Sequence, residues 1–275
     1  MKELDELFRE EKIEYYAVLD YKAVTETNPD ILKRNGDITP RSIIVFLLPY
    51  YCGETVNLSR YSASLDYHIL IRRMTDRVIG LLSELFPGSR SFGFGDHSPI
   101  DERGAALAAG LGIKGDNGLL INEKYGSYIF IADVITDISP ERLGAITPRP
   151  VLSCSGCGAC KTACPTGILR GEGNDCLSAV TQRRGELSDG EISLMKEYNT
   201  VWGCDVCQSS CPHNCAPVKT PIEFFYLDRI PLLTEDILNH MDKSQFRARA
   251  FAWRGKSTVR RNLRALGYGS DEKTK

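Results

Sequence analysis

Residues 154–165 read CSGCGACKTACP and residues 203–215 read GCDVCQSSCPHNC, with Cys176 alone between the two runs. Nine of the chain's ten cysteines therefore lie between 154 and 215. The first run has the spacing C-x2-C-x2-C-x3-C-P, in which three thiolates wrap one iron–sulfur cubane and the fourth, followed by a proline, reaches across to a second. By that crossing rule Cys154, Cys157 and Cys160 take Cys211, which also precedes a proline (Pro212), while Cys164 joins Cys176, Cys204 and Cys207. Eight cysteines make two 4Fe-4S clusters, and Cys215 is left over. Zinc is the competing metal, because C-x2-C units also form zinc knuckles, but zinc asks for two separated pairs rather than four cysteines in one short run. A disulfide framework is not expected: residues 1–11 are charged rather than apolar, which is no secretory signal, so the thiols are expected to stay reduced in the cytoplasm.

With 275 residues, 42% hydrophobic and 25% charged, the chain is long enough for one large or two modest domains of ordinary soluble composition. The longest apolar run, residues 43–51, contains Pro49 and is far too short to span a bilayer. The net charge of -2 hides an uneven distribution. Between Lys243 and Arg264 stand eight basic residues and no acidic one. Such a block, with Arg254, Lys256, Arg260 and Arg261 at its centre, can track a phosphate backbone, and Trp253 within it offers a face for stacking on a base. A solvated, arginine-rich helix face reads equally well.

Upstream of the cysteines, residues 14–21 and 42–50 are short aromatic and β-branched runs that predict buried strands. A turn or short helix begins at Asn28-Pro29-Asp30. From Asp66, Leu70, Met74, Val78, Leu81 and Leu85 recur at helical steps, predicting an amphipathic helix that ends before Pro87-Gly88. A strand at 91–95 runs into Asp96-His97-Ser98-Pro99, followed by an alanine-rich helix over 102–109. Residues 110–115 match G-x-G-x-x-G, but that dinucleotide fingerprint must follow a strand and open a helix, and here the order is reversed. These glycines are expected to end the helix and let the backbone approach something flat. Strands at 118–122 and 127–136 follow, then a proline-punctuated linker at 139–150. After Pro217 and Pro221 break the chain, a helical piece at 233–241 precedes the basic block. The alternation predicts an α+β or α/β layered domain at 1–148, a ferredoxin-like double-cluster domain at 149–222 and a short helical basic segment at 223–275. Two clusters alone transfer electrons; the preceding domain implies that they deliver them to something held there.

The sequence resembles the epoxyqueuosine reductases, cobalamin-dependent iron–sulfur enzymes related to the reductive dehalogenases, over residues 38–267. The resemblance is carried by Ser59-Arg60-Tyr61 with Asp66-Tyr67-His68, Asp96-x-Ser98-Pro99 with Glu102-Arg103, Ala109-Gly110-Leu111-Gly112, Leu120-Ile121-Asn122, Tyr125-Gly126-Ser127, residues 134–137 and the eight-cysteine layout. It implies an N-terminal domain holding base-off cobalamin, clusters that reduce the cobalt with electrons from an external low-potential donor, and reduction of a tRNA wobble-base epoxide to the alkene. A monomer is expected. Opening an epoxide produces an alkoxide, so an acid must stand beside it. Asp96, in the family's Asp-x-x-Pro motif, is the candidate proton donor and would need a raised pKa, although a residue in such a turn also serves as a helix cap. Arg60, Tyr61, Asp96, Asn117, Leu120 and Asn122 are the candidate cofactor contacts. His68 and His97 are expected to be hydrogen-bonding histidines, because the family's cobalt is not ligated by histidine.

This chain departs from the family pattern in three places. Asp116 stands where members usually carry lysine, the helical region after the cluster domain stops near Gly267 where members continue into a region that grips tRNA, and the N-terminus is trimmed with Cys215 at a non-cysteine position. Two other functions therefore stand beside the reductase: the same cofactors acting on a different or smaller substrate, and an electron-transfer or corrinoid-handling protein with no substrate of its own.

Overall fold

The computed structural model describes residues 1–36 and 38–269. They form two compact units, each assembled from separate stretches of chain: Met1–Tyr50, His68–Cys157 and Pro217–Ile222 in the first, and Tyr51–Tyr67, Gly158–Ala216 and Glu223–Lys275 in the second. The end of the expected 223–275 segment, residues 270–275, lies outside the described residues.

The first unit runs α1 (Lys2–Glu10), β1 (Tyr16–Asp20), α2 (Asp30–Asn35), β2 (Ser42–Pro49), α3 (Tyr67–Leu85), β3 (Ser91–Phe94), α4 (Glu102–Ala108), β4 (Ile113–Lys114), β5 (Leu120–Ile121), β6 (Ile129–Thr136) and α5 (Pro140–Leu143). Four strands form a sheet in the order β1-β2-β6-β3, every neighbouring pair antiparallel. Of the two classes the alternation left open, α+β therefore describes this unit. The central strand β2 is buried along its whole length. Its period of two sends Ile43, Val45 and Leu47 to one face, against Ile100, Ala105, Ala106 and Ala109 around α4. On the other face Phe46 meets Phe8 of α1 with ring centroids 5.2 Å apart. Helix α3 lies so close to β3 that a Cβ at Gly93 would fall 2.2 Å from the Thr75 Cβ. Coverage of both faces is why this strand reads as a continuous apolar run rather than an alternating one.

Two local expectations shift. Along α3 the buried stripe is Leu70, Met74, Val78 and Leu82, a run of four-residue steps, while Leu85 is 37% exposed. The glycine segment does end α4, with Gly110 at φ +71, but Ile113 and Lys114 then form a strand of their own, paired with β5. A Cβ at Gly112 would stand 2.6 Å from the Ile121 carbonyl oxygen. The close neighbour of that glycine is this hairpin's own backbone.

The second unit is helical, with α6 (Ala159–Ala163), α7 (Leu177–Gln182), α8 (Asp189–Glu197), α9 (Val206–Ser209), α10 (Glu235–His240), α11 (Lys243–Arg247) and α12 (Lys256–Ala265). Such short helices are marginal alone and depend on caps and packing. Ser188 and Asp242 form capping boxes with Glu191 and Gln245, and the Thr234 hydroxyl accepts from the Ile237 N–H. Leu233, Leu238, Phe251, Val259 and Leu263 pack with Leu58, Val201 and the fully buried Trp202. Buried Asn262 ties the same elements together, its amide donating to Thr181 O at 2.7 Å and Val201 O at 2.8 Å. The residues after 223 thus complete the core beneath the second cysteine run.

Truncating Trp202 removes the largest side chain of that core. Trp202→Ala is expected to lower stability by about 3–5 kcal/mol, with Trp202→Phe intermediate, as read by urea unfolding of the cluster-loaded protein.

Candidate functional site

The second unit's cysteines sit at the ends of short helices. Cys160 lies within α6 and Cys164 follows it, Cys176 precedes α7, and Cys204 and Cys207 flank the start of α9. None of the ten cysteines is joined in a disulfide. Cys207 is pushed up to about 12 by burial first and then by the neighbouring Cys176, Asp205, Cys164 and Cys160. Cys204 is likewise raised to about 12, by burial and by Cys176 and Cys207. Two neighbouring thiols this reluctant to ionise are stable as thiolates only when a metal replaces their protons. At Cys164, burial would raise the pKa, but the N–H groups of Leu169, Thr166 and Gly167 and the Thr166 hydroxyl, 3.8 Å from Sγ, outweigh it and lower the pKa. Backbone donors aimed at a sulfur are how a protein supports a cluster ligand. Cys207 thus has Cys176, Cys164 and Cys160 as neighbours, and Cys204 has Cys176 and Cys207. Cys154 and Cys157 lie in the first unit's chain segment. Among the described residues, no three His, Cys, Asp or Glu side chains converge closely enough to hold a single ion.

Arg60 and Tyr61 brace this unit. The Asp205 carboxylate, between Cys204 and Cys207, accepts the Arg60 backbone N–H at 2.6 Å and Nη1 at 3.2 Å, while Arg60 Nη1 also reaches Ser209 Oγ at 3.0 Å and Nη2 reaches Glu54 at 2.5 Å. The Trp202 indole N–H donates to Tyr61 Oη at 3.1 Å. The basic residues divide similarly. Arg260 and Arg264 pair with buried Glu235 at 3.1 and 2.8 Å, Arg261 donates to the Arg183 carbonyl at 2.8 Å, and Lys256 donates to the Met241 carbonyl at 2.7 Å. Arg254 instead stacks 3.7 Å from the ring centre of Trp253, which is 57% exposed.

In the first unit a cavity of ≈ 250 Å³ is lined by Asp96, Glu102, Arg103, Leu120, Ser127 and Phe130, among others. Asp96 and Leu120 thus meet, whereas Asn117 and Asn122 are not in its wall. The Asn122 amide donates to Leu111 O and accepts from the Lys124 and Tyr125 N–H groups of its own turn. Asn117 Oδ1 accepts from the Leu119 N–H, but its Nδ2 is buried without a partner among the described residues. Asp96 has a left-handed backbone, φ 64, uncommon outside glycine and tolerated best by Asp and Asn. Its N–H donates to Glu102 Oε1 at 3.0 Å, and its carboxyl, 53% exposed, lies 3.6 Å from His68 Nε2.

Two carboxyls that burial perturbs strongly are Asp133 and Glu102, neither of which the sequence reading gave a role in the site. Asp133 shares a face of β6 with Ile129, Ile131 and Ile135 and is fully buried beneath the α4 side of the sheet. Its Oδ1 accepts from the Ser98 hydroxyl at 3.3 Å, and its Oδ2 has no partner among the described residues. Burial raises it to about 7. Glu102, in the first turn of α4, is raised to about 8 by burial, then by Asp133 and Asp96. The signal was present: an acidic residue in phase with isoleucines in the strand expected at 127–136. Because folded Asp133 keeps its proton up to about pH 7 and unfolded Asp loses it near 3.8, stability falls as pH rises through that window. Asp133→Asn is therefore expected to stabilise the protein by about 2 kcal/mol at pH 8 and to change little at pH 4, measured by thermal unfolding at both values.

Residues 153–214 match the family described as a 4Fe-4S double cluster binding domain. The chain is 34% identical over 215 residues to the epoxyqueuosine reductase of Listeria monocytogenes, covering 74% of this chain and 55% of that protein. With the Staphylococcus aureus epoxyqueuosine reductase it shares 30% identity over 284 residues, 94% of this chain and 72% of the relative. Among solved structures, an epoxyqueuosine reductase crystallised with a tRNA-Tyr epoxyqueuosine-modified stem loop superposes with a TM-score of 0.76 at 22% identity, over 96% of this chain and 80% of that chain. The chain thus spans little more than half of the first of these relatives and nearly three quarters of the second. The double-cluster segment and an alignment running through both units, at this identity and coverage, establish that the chain belongs to the epoxyqueuosine reductase family.

Proposed function

We propose that this chain is a cobalamin- and iron–sulfur-dependent reductase that converts epoxyqueuosine to queuosine in tRNA. The observation that carries the reading is the pairing, within one member of this family, of a double-cluster segment with a cavity walled by carboxyls. Residues 149–222 would hold the clusters, Cys154, Cys157, Cys160 and Cys211 on one and Cys164, Cys176, Cys204 and Cys207 on the other, as the crossing rule requires. Electrons would enter from an external low-potential donor. Residues 1–148 would hold base-off cobalamin, with Asn117, Leu120 and Asn122 as contacts; the partnerless Asn117 Nδ2 suits a ligand that presents an acceptor. When bound, cobalamin supplies the low-potential reducing centre. The cavity, ≈ 250 Å³, is smaller than the pockets that enclose whole ligands of drug size, so it suits the reacting group rather than a macrocycle.

The chain's own part is acid catalysis and substrate holding. Asp96 would protonate the oxygen as the epoxide opens. Its half-exposed carboxyl is within reach of a substrate whose arrival would cover it. Trp253 and Arg254 would offer a stacking platform to the nucleic acid. Arg260 and Arg261, already engaged within the protein, would contribute field more than direct contact. That internal engagement, with Asp116, favours a second reading in which the same cofactors reduce a smaller substrate.

Incubation with cobalamin, a low-potential reductant and epoxyqueuosine-containing tRNA is expected to yield queuosine by nucleoside mass analysis; conversion of the free nucleoside alone would support the second reading. Asp96→Asn is expected to retain its iron and lose turnover by about 10²–10⁴-fold, and full activity would remove Asp96 from the mechanism. Arg254→Glu should weaken tRNA binding and flatten its salt dependence without altering iron content, as measured by filter binding across a salt series.

A further inference from the structure

Reducing an epoxide to an alkene consumes two electrons and two protons and releases water, so a single carboxyl beside the oxygen provides half of the protons. In the first unit, two carboxyls, Asp96 and Glu102, line one cavity, joined by the bond from the Asp96 N–H to Glu102 Oε1 at 3.0 Å. We infer that Glu102 is the second acid of this cavity, delivering the proton that turns the departing oxygen into water. The inference rests on the proposed reductase reading. In the first half, one C–O bond of the ring breaks and the oxygen takes the Asp96 proton. In the second, the remaining C–O bond breaks as the alkene forms, and the oxygen takes the Glu102 proton and leaves as water. The two electrons come one at a time from the external low-potential donor through the clusters, and both carboxylates recover protons from solvent.

The surroundings of Glu102 suit that task. Asp96 faces it from the β3–α4 loop, Asp101 and Arg103 from its own helix, and Asp133 from β6 below. Arg103 is turned toward the Gly118 carbonyl, to which Nη1 donates at 2.6 Å. His68 from α3 stands against Asp96. Buried among carboxyls, Glu102 stays protonated up to about pH 8, so the proton is present at neutral pH. Asp133 sustains this state: any charge it gains raises Glu102 further.

The alternative is that Glu102 only positions Asp96 through the backbone bond. Glu102→Gln separates the two, because glutamine keeps the acceptor for the Asp96 N–H but has no acid proton. In cluster-loaded protein without substrate, wild type is expected to show a protonated-carboxyl infrared band lost near pH 8 and missing from E102Q. Hydrogen exchange at the Asp96 amide should stay within about twofold of wild type in E102Q and rise about tenfold or more in Glu102→Ala. With epoxyqueuosine-containing tRNA, E102Q is expected to lose turnover by about 10²-fold at unchanged KM, and wild-type turnover should fall as pH rises through about 8. Full turnover in E102Q beside an active wild type, or no carboxyl band titrating near pH 8, would overturn the role of Glu102 alone. An inactive wild type with the infrared band and amide protection intact would overturn the reductase reading instead.

Discussion

Burial of Trp202 and its apolar neighbours is the constraint on which the cysteine-bearing unit depends. The two cysteine runs fold as short helices and turns, none long enough to persist alone. They are steadied by a core whose other half comes from residues after 223 and from the stretch around Leu58. Asn262 and Arg261 fasten that core to the backbone between the cysteines by hydrogen bonds, and Glu235 pairs with Arg260 within the C-terminal segment. The basic C-terminal block is therefore first a structural element, in which the broadly exposed ring of Trp253 is stacked by Arg254.

In the first unit the governing cost is electrostatic. An antiparallel sheet covered on both faces gives Asp133 no water, so it keeps its proton to about pH 7, and Glu102 is raised to about 8 by its own burial first and then by the neighbouring Asp133 and Asp96. A fold bears such a cost where it serves chemistry. The strained backbone of Asp96, held by the Glu102 carboxyl, ties the loop that carries the proposed proton donor to the same acid group.

The principal strands were legible because β2 and β6 are long apolar runs between turn formers, and the cluster chemistry was legible because cysteine spacing is itself the coordination pattern. Less could be read where the deciding neighbour is remote in sequence. Arg260 looks like a surface cation until Glu235 is seen buried beside it. The glycine segment hides a two-residue strand too short for any periodicity. That the Asn122 side chain closes its own turn was not legible from spacing either. Asp133 could have been found by parity with its isoleucines, whereas the elevation of Glu102 depends on a contact across the α4–β6 packing that no spacing encodes.

The most direct measurement is the iron content and electron paramagnetic resonance of the anaerobically reconstituted, reduced protein beside its Cys176→Ser variant. About eight irons and two interacting cluster signals in wild type, falling to about four irons and one signal in the variant, are the expected results of a lone cysteine completing one of two cubanes. Zinc in place of iron, or a variant that still holds both clusters, would contradict it.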